Sequence, residues 1–240
     1  MPPPFRMLVH HITDRTMQRH FVEELEAVKT NLIKMGSFAE EAIALSIRAL
    51  LERNAELARE IIARDERINE MEIEIDDAIV DLLALQQPVA TDLRFILAAM
   101  KINNDLERIG DHAVNIAESA LQYAAGKPVK PFADLPRMAQ VTKEMLRDSI
   151  DAFIHADSAK ARGVLVTDDT IDDLNRKIVS ELVALMRTDP PLIEQALDLI
   201  RVSRNLERVA DLSTNIAEEV VFIAEAHVVK HHAEEKPPAQ

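Results

Sequence analysis

"LERIGDHAVNIAE" occupies residues 106–118, and "LERVADLSTNIAE" occupies residues 206–218. Eight of the thirteen positions are identical, one hundred residues apart. On a helix turning about 100° per residue, the first copy divides into two stripes. Leu106, Ile109, Ala113 and Ile116 share an apolar face that reads as core. Glu107, Asp111 and Asn115 step by four along a flanking face, the two carboxylates about 6 Å apart along the axis. Leu206, Val209, Ser213 and Ile216 repeat the apolar stripe less strictly, and Glu207, Asp211 and Asn215 repeat the polar one.

The repetition extends outward from this phrase. Ser46, Ile47 and Ala49 match Ser149, Ile150 and Ala152 at an offset of 103, as Asp65 and Ile68 match Asp168 and Ile171. The offset falls to 100 after "QQPVATD", a Pro turn three residues longer than its partner around "TDPPL". A length change confined to a turn is the mark of duplicated helical units. Helical periodicity predicts one helix over 21–53, with Asn54 capping the next and Asp65 capping or kinking its continuation. A third helix is expected from Asp92, with Thr91 as its cap, to about Tyr123. "AGKPVKPFADLP" (125–136), with one Gly and three Pro, is the clearest break. Beyond it, helices over about 135–156, up to Arg187 and over about 192–227 repeat the plan, with Asp157 where Asn54 stood. The expected fold is all-α, a tandem repeat of two three-helix bundles with long antiparallel helices. The expected division is 1–124 and 135–227, joined by a linker at 125–134 and followed by a disordered tail at 228–240.

The 240 residues hold 48% hydrophobic side chains but only 3% aromatic ones and 4 Gly, so the core is aliphatic and Met-filled. There is no Cys, which removes disulfides, thiolate metal sites and Cys nucleophiles. No signal-peptide pattern and no run of about 18 uncharged apolar residues is present, so a cytoplasmic protein without a membrane span is expected. The formal net charge of −14 argues against nucleic acid as a partner and suits cations or basic surfaces.

Two carboxylates at i, i+4 repel, and a hard cation bridging them would relieve the repulsion. Folding each half at its Pro turn brings Asp65 level with Asp111 and Asn69 level with Glu107. In the second half Asp168 comes level with Asp211, and Asp172 with Glu207. The expected metal ligands are therefore Glu107, Asp111, Glu207, Asp211, Asp65, Asp168 and Asp172. Oxygen-only donors admit Mg, Ca, Mn, Fe or Zn without choosing among them. The competing reading of each acidic face is that it is merely solvated. None of the 8 His has a Glu three residues before it, which speaks against a ferritin-like redox centre. His10, His11, His20, His227, His231 and His232 read as fraying, charged termini. No Gly-rich phosphate loop, GxSxG motif or nucleophile–base pair occurs, so no enzyme is expected and no catalytic residue is named.

"KINNDLERIGDHAVNIAE" (101–118), "IRVSRNLERVADLSTNIAE" (200–218) and "ALQQPVATDLRFILAAMK" (84–101) resemble the PhoU family of bacterial phosphate-signalling proteins. The "ARDERIN" and "VTDDTIDD" segments extend the resemblance over nearly the whole chain. It implies a cytoplasmic negative regulator of the phosphate-starvation response. Its implied partners are the ATPase of the phosphate ABC transporter and a phosphate sensor kinase, with peripheral membrane association through them. A homodimer is implied as well. So is divalent or multinuclear metal (Fe, Zn, Mg or Mn) on E(D)xxxD motifs, which fall on Glu107 with Asp111 and on Glu207 with Asp211. The second repeat reads "ERVAD" where "ERIGD" is common, and Asn69 stands in place of an acid. The alternatives from other classes are a carboxylate-bridged metalloenzyme and a metal-free helical adaptor that docks basic partners.

Overall fold

The computed structural model describes residues 5–86, 88, 90–129 and 134–226, with side chains from residue 20 onward apart from Gln86. The expectations about residues 228–240 and about the side chains of His10, His11, His227, His231 and His232 lie outside the described residues. Among the described residues seven helices follow in order: α1 Phe5–Glu52, α2 Ala55–Arg64, α3 Glu66–Gln86, α4 Ala90–Ala125, α5 Asp134–His155, α6 Ser158–Thr188 and α7 Ile193–Glu225. Pro190–Leu192 form a single 3-10 turn before α7. No strand occurs among the described residues. No helix there is long and apolar enough to cross a membrane.

The first turn of each repeat is built the same way. Arg53 and Ala156 take left-handed φ values of 52° and 50°. The next residue's N–H then reaches back to a helix carbonyl, Asn54 to Ala49 at 2.8 Å and Asp157 to Ala152 at 2.9 Å. That closes the preceding helix in the manner of a Schellman cap. The same two residues open the following helices. Asn54 Oδ1 accepts from Leu57 N–H at 3.1 Å and Asp157 Oδ1 from Lys160 N–H at 3.0 Å. In the first repeat Arg53 also donates to the carbonyls of Tyr123 and Ala124, at 3.3 and 3.0 Å, and so ties this turn to the end of α4.

Three details differ from the sequence reading. α1 starts at Phe5 rather than Phe21, since nothing between Phe5 and Phe21 breaks a helix once it has nucleated. Thr91 lies inside the first turn of α4, accepting from Arg94 at 3.2 Å, instead of capping it. The expected interruption at Asp65 is present, the Asp65 carbonyl taking the N–H of Ile68 at 3.0 Å, but its matched counterpart Asp168 lies within an unbroken α6.

The core follows the quoted phrase. Leu106, Ile109, Ala113 and Ile116, with Leu206, Val209, Ser213 and Ile216, are all buried to within 1% of full burial. Ser46 and Ser149 are fully buried at matching places, each donating to a carbonyl one turn earlier in its own helix. Their small side chains permit close packing. α1 and the α2–α3 pair pack on α4, and α5 and α6 pack on α7. α4 and α7 then pack on each other along their lengths. Lys101 meets Glu219, His112 meets Asn205, and Arg201 meets Gln122. Residue numbers rise along one helix as they fall along the other, so α4 and α7 are antiparallel.

The shared cap geometry gives a direct test. Asn54→Ala and Asp157→Ala should each lower unfolding free energy by about 1 kcal/mol in urea titrations. The double variant should lose the sum, because the two caps share no partners.

Candidate functional site

The first acidic ledge joins α4 to the α2–α3 break. Glu107 is half-buried and Asp111 exposed on α4, while Asp65 sits half-buried at the break. Burial, then the charge of Asp111, raises the pKa of Asp65 above its ordinary value, opposed by a hydrogen bond from Asn69. Asn69 Nδ2 donates to Asp65 Oδ2 at 3.4 Å. Burial also raises Glu107, and the charges of Asp111, Glu72 and Asp65 add to it. Three of the residues named from sequence therefore share one electrostatic neighbourhood. Its fourth acid is Glu72, which sequence reasoning missed. Glu72 lies seven residues after Asp65, two helical turns on and hence on the same face, and that spacing was the available signal.

The second ledge is electrostatically different. Arg208 Nη1 donates to Asp211 Oδ2 at 2.9 Å. Arg176 lies 4.0 Å from Asp172 and also contacts Asp173. Glu207 and Asp168 are half-buried. The cause of the difference is one residue upstream in each phrase. In the first repeat Arg108 turns back to Asp105, 3.7 Å away. In the second repeat that position is Asn205, and Arg208 turns forward to Asp211 instead. Arg108 still acts on Glu107 and opposes its rise, so the first ledge is only partly compensated, while Asp211 gains a direct arginine partner.

Among the described residues, no three acidic or histidine side chains converge closely enough to hold one metal ion. The all-oxygen, mutually repelling set at the first ledge still fits a hydrated hard cation. Mg²⁺ in particular is often bound through one or two carboxylates with waters completing the shell. A closed, several-carboxylate cage is not preformed. The asparagines do not belong to the ledges. Eight residues beyond Glu107, a helix has drifted about 80°. Asn115 accordingly lines a recess with α7, and Asn215 bonds Asp105 across the α4–α7 seam.

Next to the first ledge, the break at Asp65 opens a groove of about 470 Å³, with Phe38, Leu45, Ile61 and Val114 among its apolar walls. Gly110 forms part of it. A Cβ there would lie 3.0 Å from Ile68 Cδ1, so glycine lets α3 approach α4 at this point. The second repeat has Ala210 opposite an unbroken helix.

The sequence pattern of the PhoU domain matches this chain twice, at residues 32–120 and 135–220, one match on each three-helix unit. The chain belongs to the PhoU family. The phosphate-specific transport system accessory protein PhoU homolog of Aquifex aeolicus is 41% identical over 215 residues, 89% of this chain and 97% of that one. The crystal structure of PhoU from Pseudomonas aeruginosa superposes with a TM-score of 0.83 at 34% identity, covering 86% of this chain and all of that one. The phosphate transport system regulatory protein PhoU from Streptococcus pneumoniae gives 0.82 at 29% identity over 88% of this chain and all of its own. The resemblance read from the sequence and the tandem all-α fold both hold. PhoU-family members are named as accessory and regulatory proteins, so the metalloenzyme alternative has no place.

Asp105 gives the site a pH signature. It is 7% exposed, and burial pushes its pKa up to about 6 from 3.8. Arg108, the Asn215 hydrogen bond and Lys101 oppose that rise, and Glu219 adds to it. The folded state holds the proton more tightly than the unfolded chain. Stability should therefore fall as pH rises from about 4 to about 6, by at most about 3 kcal/mol, and level off above that. Asp105→Asn should melt higher than the parent protein at pH 7.5, with the gap closing toward pH 4. A gap that stays constant across this range would refute the assignment.

Proposed function

We propose that this chain is an accessory regulator of phosphate transport that couples the phosphate ABC transporter to a sensor kinase and represses the phosphate-starvation response. The observation that carries the reading is the match of both repeats to PhoU, over nearly the full length of relatives named as phosphate transport accessory and regulatory proteins. In this reading the protein works in the cytoplasm as a homodimer and reaches the membrane only through its partners. The two repeats offer different surfaces for such a role. The first carries a partly compensated acidic ledge beside an apolar groove, and in the second two of the four acids, Asp172 and Asp211, have arginine partners.

The ledges would serve as cation-responsive surfaces. One or two carboxylates among Glu107, Asp111 and Asp65 would hold a hydrated divalent ion, with waters completing its shell, and the ion would lower the repulsion among all three. Asp168, Asp172, Glu207 and Asp211 would form the weaker counterpart, because Arg208 and Arg176 already compete for two of those acids. The lack of a converging three-ligand set supports a second reading, in which the faces dock basic partners without metal.

Affinity capture with the tagged full chain, at high and low phosphate and with and without chelator, tests the regulatory reading. Recovery of the transporter ATPase or the sensor kinase is expected, and recovery of neither in any condition would sink it. Elemental analysis of the purified protein separates the two readings of the ledges. Glu107→Ala with Asp111→Ala should lower metal content more than Glu207→Ala with Asp211→Ala. Metal content equal to the parent's in both would leave the metal-free adaptor.

A further inference from the structure

At one end of the α4–α7 seam lies a recess of about 520 Å³, lined in part by Glu72, Asp76, Asp105, Glu218 and Glu219. Lys101 is the one cation among the lining residues. It lies 2.6 Å from Glu219 Oε1 and over the Phe222 ring, 5.8 Å from its centre. The other carboxylate oxygen, Glu219 Oε2, is buried without a hydrogen-bond partner, on a side chain only 9% exposed. An unpaired buried carboxylate oxygen is costly to the free protein.

The recess continues into an exposed apolar stripe. Leu93, Leu97 and Met100 of α4 are 36%, 42% and 38% exposed. On the neighbouring α3, Ile73 and Val80 are 60% and 56% exposed. Asn103 bonds the Glu72 carbonyl and the Asp76 carboxylate, both at 2.9 Å. That fixes the α3–α4 register and brings Val80 about level with Leu97. From Leu93 to Asp105 the surface runs about 18 Å along α4, the length of roughly three helical turns.

The duplication supplies an internal comparison. Positions 101, 104 and 105 against 215, 218 and 219 map, at an offset of 100, onto 201, 204 and 205 against 115, 118 and 119. Those residues line a smaller recess of about 220 Å³, which carries Arg201 and Arg204 against Glu118. Ile193 and Leu197, copies of Leu93 and Leu97, are likewise exposed. The second repeat keeps the Leu93 and Leu97 positions but has Arg176 where the first has Ile73, and only the first leads the stripe into a carboxylate cluster.

We infer that the α3–α4 face and the acidic recess together form a docking site for a basic amphipathic helix of a partner protein. The helix lays leucine-type side chains along Leu93, Leu97, Met100, Val80 and Ile73. It places a Lys or Arg in the recess, where the ammonium or guanidinium faces the acids that line it, Glu72, Asp76, Asp105, Glu218 and Glu219. Apolar anchors at i, i+3 or i+4 and i+7 give area, and the terminal charge gives direction. Met100 adapts to the shape of the incoming side chain. The inference rests on the regulatory reading only for the partner's identity.

The test is fluorescence anisotropy with a labelled 18-residue amphipathic Leu/Lys helix and the full chain. A Leu/Glu helix of the same pattern serves as the charge control. The Leu/Lys peptide should bind and the Leu/Glu peptide should not. Glu218→Gln with Glu219→Gln should raise Kd by about tenfold or more, while Glu56→Gln with Glu181→Gln, exposed acids elsewhere, should change it by less than about twofold. Leu97→Ser should weaken binding, and its copy Leu197→Ser should not. Circular dichroism melts confirm that every variant is folded. No binding to the parent protein, equal weakening by the two Gln pairs, or equal weakening by the two Ser variants overturns the site. Failed partner capture with intact peptide binding would sink the regulatory reading alone, and the reverse would sink this surface alone.

Discussion

The antiparallel packing of α4 on α7 is the contact on which the rest of the molecule depends. Each of these helices must serve its own repeat on one side and the other repeat on another. Such a helix needs apolar residues around much of its circumference and small ones where backbones approach. The quoted phrase supplies both. Ala98, Ala99, Ala113, Ala117 and Ala120 are buried on α4, and Ala196, Ala210 and Ala217 on α7. Larger side chains at these positions would force the helices apart and open the two cores together. Duplication makes the solution economical, since one sequence pattern that fits its own copy in antiparallel register builds both sides of the joint.

Where the copies diverge, they diverge mainly in charge. Asp105 against Asn205 sets whether the following arginine turns back or forward, and that choice leaves the first ledge partly compensated and gives Asp211 in the second an arginine partner. Lys101 and Glu219 form an ion pair across the seam at 2.6 Å. Their counterparts Arg201 and Ser119 do not repeat it, and Arg201 bonds Gln122 and Asp198 instead. The exchange at this pair swaps a buried glutamate for a serine, while the exposed ion pairs around it contribute little to stability. The same exchanges change the surface potential strongly, so charge can diversify while the core pattern is kept.

Much of this was readable from sequence because helices report themselves through period. The core stripes at 106, 109, 113 and 116 and at 206, 209, 213 and 216 are buried as the spacing implies. Asn54 and Asp157 cap as their matched positions imply. The level placing of Asp65 with Asp111, from turn counting alone, agrees with the electrostatic contact between them. What escaped were features set by partners on other helices. Glu72 enters the ledge through α3–α4 packing, and Asn115 leaves it through the drift of a helix over two turns. The direction of Arg108 depends on a residue that looks incidental in the chain. The break expected at Asp65 is there, but its absence at Asp168 was invisible, because both positions carry the same residue.

The first repeat's acids form a nearly continuous band. Asp65, Asp111, Glu107 and Glu72 act on one another, and Glu72 also lines the recess that holds Asp76, Asp105 and Glu219. Burial and mutual repulsion raise Asp65, Glu107 and Asp105 alike, so the free protein holds these charges at a cost to its own stability. The second repeat places arginines beside Asp172 and Asp211, and Arg201 contacts its burial-raised acid, Asp198. Stored repulsion of this kind is released only when positive charge arrives from outside, as an ion or as a basic side chain. A regulator benefits from that arrangement, because the free energy released on neutralisation belongs to the bound state and is absent from the free one. The duplicated phrase builds the scaffold twice, and the partly compensated acids set the first copy apart from the second.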